Sequence, residues 1–202
     1  MTVWVANDAS GTAIPGGRFR VFEAYSNCDL DPVHVSSYHL LPLLSFFPDL
    51  LANTLQTGWA ARQHFPGDGM VEEFLGDFSG PGGRITGEMD LSSGGRIMAD
   101  VSSVFVLASL GAFQMTGDAE ALSSLYPHLA AAVTWEINRT TAGPNASFPA
   151  HLQNTYDYLG LDQYPYQAYT AFLHLAMMRA FRVLAAVVGD TSSLPADALA
   201  SA

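Results

Sequence analysis

Two carboxylates stand out in a chain of 202 residues that carries few charges. Charged side chains make up 13% of it and hydrophobic ones 49%, so a carboxylate set among apolar neighbours needs a reason to be there. Glu23 lies between Phe22 and Ala24 behind a Gly-rich lead-in, and Asp157 lies in Asn154-Thr155-Tyr156-Asp157-Tyr158. Partial desolvation of two such groups sets an acid apart from a base or nucleophile, which is how a glycosidase divides the work between two carboxyls. The plainer assignment leaves Glu23 to solvent and makes Asp157 a turn cap. The residues alone leave both open. Tyr156, Tyr158, Tyr164, Tyr166 and Tyr169 offer flat faces for stacking on a sugar ring, or else pack a core and its turns.

Other chemistries lack their residue patterns. There is no His-x-x-x-His or Cys-x-x-Cys pair, and His34 and His39 are out of register for one helix face, so no metal site and no cofactor are expected. Gly80-Pro81-Gly82-Gly83 is not followed by the Gly-Lys-Ser/Thr of a phosphate loop, and no Gly-x-Ser-x-Gly occurs. Cys28 is the single cysteine, which rules out an internal disulfide. All 8 basic residues are Arg, against 19 acids, for a net charge of -11. A nucleic-acid partner and a polybasic membrane contact are thereby excluded. The first twenty residues have no apolar signal core, and the longest apolar run, residues 165–189, is broken by His174, Arg179 and Arg182. No transmembrane segment is expected, and a cytoplasmic location is favoured.

Helices separated by Gly- and Pro-rich loops must position these groups. Residues 33–47 form an apolar stretch, Pro48-Asp49 interrupts it, and Leu51, Leu55 and Trp59 continue at helical spacing through residue 63. Residues 66–95 hold nine glycines in one long loop, a length that in a compact domain has a functional cause or reflects partial disorder. Asp100 is expected to cap a helix over 101–115, Gly117 to stop it, and Asp118 to cap the next, over 119–137. Pro127 should kink that helix or restart it. Residues 166–188, apolar nearly all round, make a last helix ended by Gly189. Strand signals are confined to the β-branched residues near Val3, Val5 and Val21. The expected fold class is all-α, built from helical hairpins with long Gly-rich loops, as one domain over residues 1–190 and a fraying tail over 191–202.

Several segments together resemble the catalytic region of glycoside hydrolase family 116, which includes non-lysosomal glucosylceramidases and β-glucosidases. They are Gly17-Arg18-Phe19-Arg20-Val21-Phe22-Glu23, Phe46-Phe47-Pro48-Asp49-Leu50, Met115-Thr116-Gly117-Asp118, Leu125-Tyr126-Pro127 and Asn154-Thr155-Tyr156-Asp157. Their order and approximate spacing agree with the family over residues 16–189. The resemblance implies an (α/α)6 barrel, here partial, preceded in the family by a β-sandwich domain. It implies hydrolysis of a β-glucoside or glucosylated lipid with retention, Glu23 as nucleophile and Asp157 as general acid/base. It places His34, Asp90, Asp100, Thr155 and Tyr156 around the sugar. The chain departs from the family where His34 replaces an Asp and where Met89-Asp90 replaces a His-Asp pair. A truncated or degenerate homologue, serving as a carbohydrate-binding or structural helical module, is the alternative. A twelve-helix barrel needs more helices than the five or six legible here, so the remaining barrel and a β-sandwich are expected as partners.

Overall fold

A computed structural model describes residues 2–7, 13–21, 29–30, 32–33, 40–73, 76–77, 99–138 and 168–191. Within them the protein is mainly helical, as its apolar periodicity predicts. Strands β1 (Thr2–Asn7) and β2 (Ala13–Val21) form an antiparallel pair in the register Val3↔Arg20 and Val5↔Arg18, with an irregularity between Val5 and Asn7. The β-branched residues near Val3 and Val21 lie in it. Strand β3 (Asp29–Leu30) pairs antiparallel with β4 (Gly76–Asp77). That pairing puts a short strand inside the stretch read from the sequence as loop, where two residues carry too little pattern to be seen.

The helices are α1 (Leu40–Phe46), α2 (Pro48–Thr54), α3 (Val101–Thr116), α4 (Ala119–Asn138) and α5 (Ala168–Val188). Pro48 both ends α1 and starts α2, because its missing N–H is no loss in a first helical turn. A π-helical stretch, Leu55–Trp59, extends α2 and closes with the Ala60 N–H donating to the Leu55 carbonyl at 2.9 Å. Helical structure stops there, short of residue 63. Gly117 ends α3 in the left-handed conformation (φ 65°), and its N–H returns to the Phe113 carbonyl at 2.8 Å. The Asp118 carboxylate then accepts from the Ala121 N–H at 2.9 Å and caps α4. Helix α4 runs through Pro127 as one element, so the proline does not restart it.

The core is shared by α2 to α5. Val101, Val104, Phe105, Val106 and Ala108 are all buried, on every side of α3. Helix α4 is one-sided instead, with Leu122, Leu125, Leu129, Ala132 and Val133 inside and polar residues opposite. Phe181 of α5 stacks on Tyr126 of α4, with centroids 5.3 Å apart and planes 9° apart, and the Tyr126 hydroxyl donates to Asp190 Oδ2 at 2.8 Å. Trp59 meets Phe105 edge-on at 6.3 Å. Among the described residues α5 alone is long and apolar enough to cross a membrane; one side of it packs on α3 and α4, and Phe172, Val183 and Val187 on the other are exposed.

Gly69 brings a loop against α4 at Ala131. Its φ is +90°, and a Cβ there would lie 2.3 Å from the Ala131 carbonyl oxygen. The same turn is held by Gln63, whose amide donates to the Gly69 carbonyl at 2.9 Å and the His128 carbonyl at 2.8 Å. Gly69→Ala must therefore move backbone as well as enter a strained conformation, and should cost at least about 2 kcal/mol. Urea unfolding of the two proteins measures this; equal midpoints would show that the turn is free to move away from α4.

Candidate functional site

Helix direction decides where the polar groups meet. The two-residue turn at Gly117-Asp118 returns α4 along α3, on which it packs, and Tyr126 in the first half of α4 meets Phe181 and Asp190 toward the finish of α5. The Tyr169 hydroxyl donates to Asp100 Oδ2 at 3.0 Å, which joins the start of α5 to the start of α3. Further along, Ser103 Oγ contacts Met177 Sδ at 3.6 Å, so α3 and α5 run side by side in the same direction. One end of the trio thus gathers the beginnings of two helices and the end of a third. Asp100, Ser102, Ser103, Glu136, Thr170 and His174 are buried there. The remaining buried polar side chain of these helices, Ser109, answers its own helix through the Phe105 carbonyl at 2.8 Å.

Asp100 occupies the N-cap position of α3, but its side chain makes no capping bond. The expected cap is replaced by the bond from Tyr169. Its carboxyl is 1% exposed, and Oδ1 has no hydrogen-bond partner. Burial raises its pKa from 3.8 to about 6, tempered by the Tyr169 bond and by its own backbone. Ser102 Oγ is buried without a partner as well. A buried carboxyl with one oxygen satisfied and the other bare can accept a hydroxyl from a polar ligand, or hold a proton in weak acid.

A second anchored segment is the end of β2. Arg20 is buried, and its guanidinium donates to the Phe19 carbonyl at 2.7 Å and the Thr57 carbonyl at 2.6 Å. The Phe19 N–H donates to Asn53 Oδ1 at 3.1 Å. The Arg18-Phe19-Arg20-Val21 segment is therefore bound to the α2 region two residues before Glu23 in the chain. Arg62 and the Val33 N–H both donate to the Glu73 carbonyl, at 3.3 and 2.8 Å.

Of the residues expected to act, Asp100 lies at the polar end of the trio. Glu23, His34, Asp90, Thr155, Tyr156 and Asp157 lie outside the described residues. Glu136 and His174 were missed from the sequence, although a signal existed. Glu136 stands in register with Leu129, Ala132 and Val133, and His174 with Thr170, Met177 and Phe181, so both occupy positions where an apolar residue was due. Among the described residues no cluster of three or more His, Cys, Asp or Glu could hold a metal ion.

No model of a protein family matches the chain, and no curated protein matches it.

The raised pKa of Asp100 has a definite sign. The unfolded chain loses this proton near pH 3.8 and the folded chain near pH 6, so the fold binds the extra proton between these values. Stability from this group is full below about pH 4 and declines as pH rises through about 6, by about 3 kcal/mol in all. Asp100→Asn should remove that decline. Urea midpoints of both proteins at several pH values between 4 and 7 test it, and an Asn variant with an unchanged slope would show that another group titrates.

Proposed function

We propose that the chain is the carboxylate-bearing part of a retaining β-glycosidase barrel of the family 116 type, acting on a β-glucoside or a glucosylated lipid. The observation that carries the reading is the ordered set of motifs that ends in Glu23 and in Thr155-Tyr156-Asp157. The polar end of the helical trio supports it. The segment with Asp90 leads in sequence into Asp100, and the segment with Asp157 leads into Tyr169, so both run into the ends joined by the Asp100–Tyr169 bond. Completion as a barrel calls for further helices, with a β-sandwich domain beside them.

In this mechanism Glu23 attacks the anomeric carbon while Asp157 gives its proton to the leaving oxygen. A covalent glycosyl-enzyme results. Asp157, now a base, takes a proton from water, which displaces Glu23 and releases the sugar with its configuration retained. A retaining mechanism requires two carboxyls about 5–5.5 Å apart. Asp100 Oδ1, bare and buried, accepts a sugar hydroxyl, and Thr155, Tyr156, His34 and Asp90 complete the surround. The steps balance with carboxylates and water alone, so the reading calls for no cofactor.

A second reading is favoured by His34 and Met89, which stand where the family has an Asp and a His. A sugar site that loses hydrogen-bonding partners loses rate and selectivity, and a silent homologue would keep only a binding or structural role. Trapping decides between them. A 2-fluoro glucoside or an epoxide inhibitor should label Glu23, as mapped by mass spectrometry, and Glu23→Gln should abolish both label and turnover. Asp157→Asn should slow poorly activated leaving groups most. A folded chain that takes no label supports the silent module, and label on another residue removes Glu23 from its role.

A further inference from the structure

The exposed large apolar side chains of the described residues fall mostly into two patches of opposite charge. On α5, Tyr169, Phe172, Val183 and Val187 are exposed, Phe172 at 73%. Arg179 and Arg182 stand exposed among them. Positions 172, 179, 183 and 187 share one helix face, a stripe of roughly 22 Å at 1.5 Å per residue. Arg20 and Arg62 are buried, so this stripe carries the exposed arginines among the described side chains. The other patch surrounds a groove of about 240 Å³ between α2, α3 and α4, lined by Leu55, Phe113 and Leu122 with Asp49 and Asp118. Phe47 and Met115 are exposed on the segments that border it, Phe46, at 74%, is exposed beside Phe47, and Glu120 is exposed just beyond Asp118. No residue of α5 lines the groove, so one molecule presents both surfaces at once.

We propose that the α5 stripe of one copy docks in the acidic groove of a second copy. Phe172 and Val183 leave water for the apolar lining, and Arg179 and Arg182 meet Asp49, Asp118 and Glu120. This is helix-in-groove recognition, with charge setting register and partner. A second copy is the occupant because the stripe needs an apolar partner bearing acids, and the groove of this same chain is one. An anionic membrane also attracts arginines, but a net charge of -11 opposes the approach of the whole molecule to it. The contact is head-to-tail, so each docked copy keeps one free stripe or groove, and association continues into chains or a ring. The inference uses neither Glu23 nor Asp157, but a second copy and the further helices of a completed barrel would compete for the same α5 stripe, so a mass that stays that of one copy counts against the second copy.

Sedimentation velocity on the full chain over a concentration series tests it. The mass should climb past that of a dimer with concentration and fall back with added salt. Arg179→Glu with Arg182→Glu should weaken association about tenfold or more. Asp49→Arg with Glu120→Arg should do the same, with Asp118 kept because it caps α4. Mixing the two double variants, or combining all four substitutions in one chain, should restore assembly, which repairs charge pairing and excuses neither variant as misfolded. A parent that stays monomeric throughout overturns the proposal. So does a mixture that stays monomeric while circular dichroism matches the parent, or a parent that binds phosphatidylserine vesicles without self-association.

Discussion

A helix that is apolar on every side has to be enclosed, and α3 is that helix. Val101, Val104, Phe105, Val106 and Ala108 leave its first turns no wet face, so other elements must cover that length, and its last turn, with Met115, reaches solvent. Helices α4 and α5 close two sides, and α1 and α2 with the π-helical stretch close another. Gly111 lets α1 come close, with Leu44 near enough that an added methyl would press on it at 3.2 Å. Burial at roughly 25 cal/mol per Å² makes that enclosure the largest favourable term in the fold. The turns then settle its geometry. The left-handed Gly117 and the Asp118 cap reverse the chain within two residues, so α4 returns along α3 before any longer connection has to form.

Enclosure has a cost at one end. The starts of α3 and α5 and the finish of α4 bring polar side chains into the interior along with the apolar ones. The hydroxyl of Tyr169 answers half of the Asp100 carboxylate and leaves the other oxygen bare. A core built only for stability would place an apolar residue there, since a buried unsatisfied acceptor costs on the order of 1–3 kcal/mol. Groups held in this way are where binding and proton chemistry concentrate. The rest of the trio carries its buried polarity within its own helices, as Ser109 does. Polarity that is spent locally has no bearing on a ligand, and polarity left over does.

The strand pair adds a second constraint. Arg20 enters the interior with its charge, and backbone carbonyls of Phe19 and Thr57 receive it. Asn53 holds the neighbouring strand N–H. A strand that leads toward a candidate nucleophile is thereby pinned to the helix behind it, and a nucleophile needs that kind of support to keep its aim.

Much of the helical architecture was legible in the residues themselves. Gly117, Asp118 and Gly189 marked ends by local rules, and the spacing of Leu122, Leu125, Leu129 and Val133 marked the inner face of α4, because caps and periodicity act within a turn or two of the chain. The candidate carboxylates Glu23 and Asp157 were legible as motifs, and their surroundings are not among the described residues. Asp100 reads in sequence as a cap, and only the fold turns it toward Tyr169, sixty-nine positions away. Glu136 and His174 look like interruptions in apolar stripes until the parallel packing of α3 and α5 and the return of α4 bring their ends together. The sequence by itself determined where helices begin and end and which faces are apolar, since those depend on neighbours in the chain. The tertiary structure alone decided which polar groups share an interior and which acid gives up its water, since desolvation depends on atoms brought from distant segments.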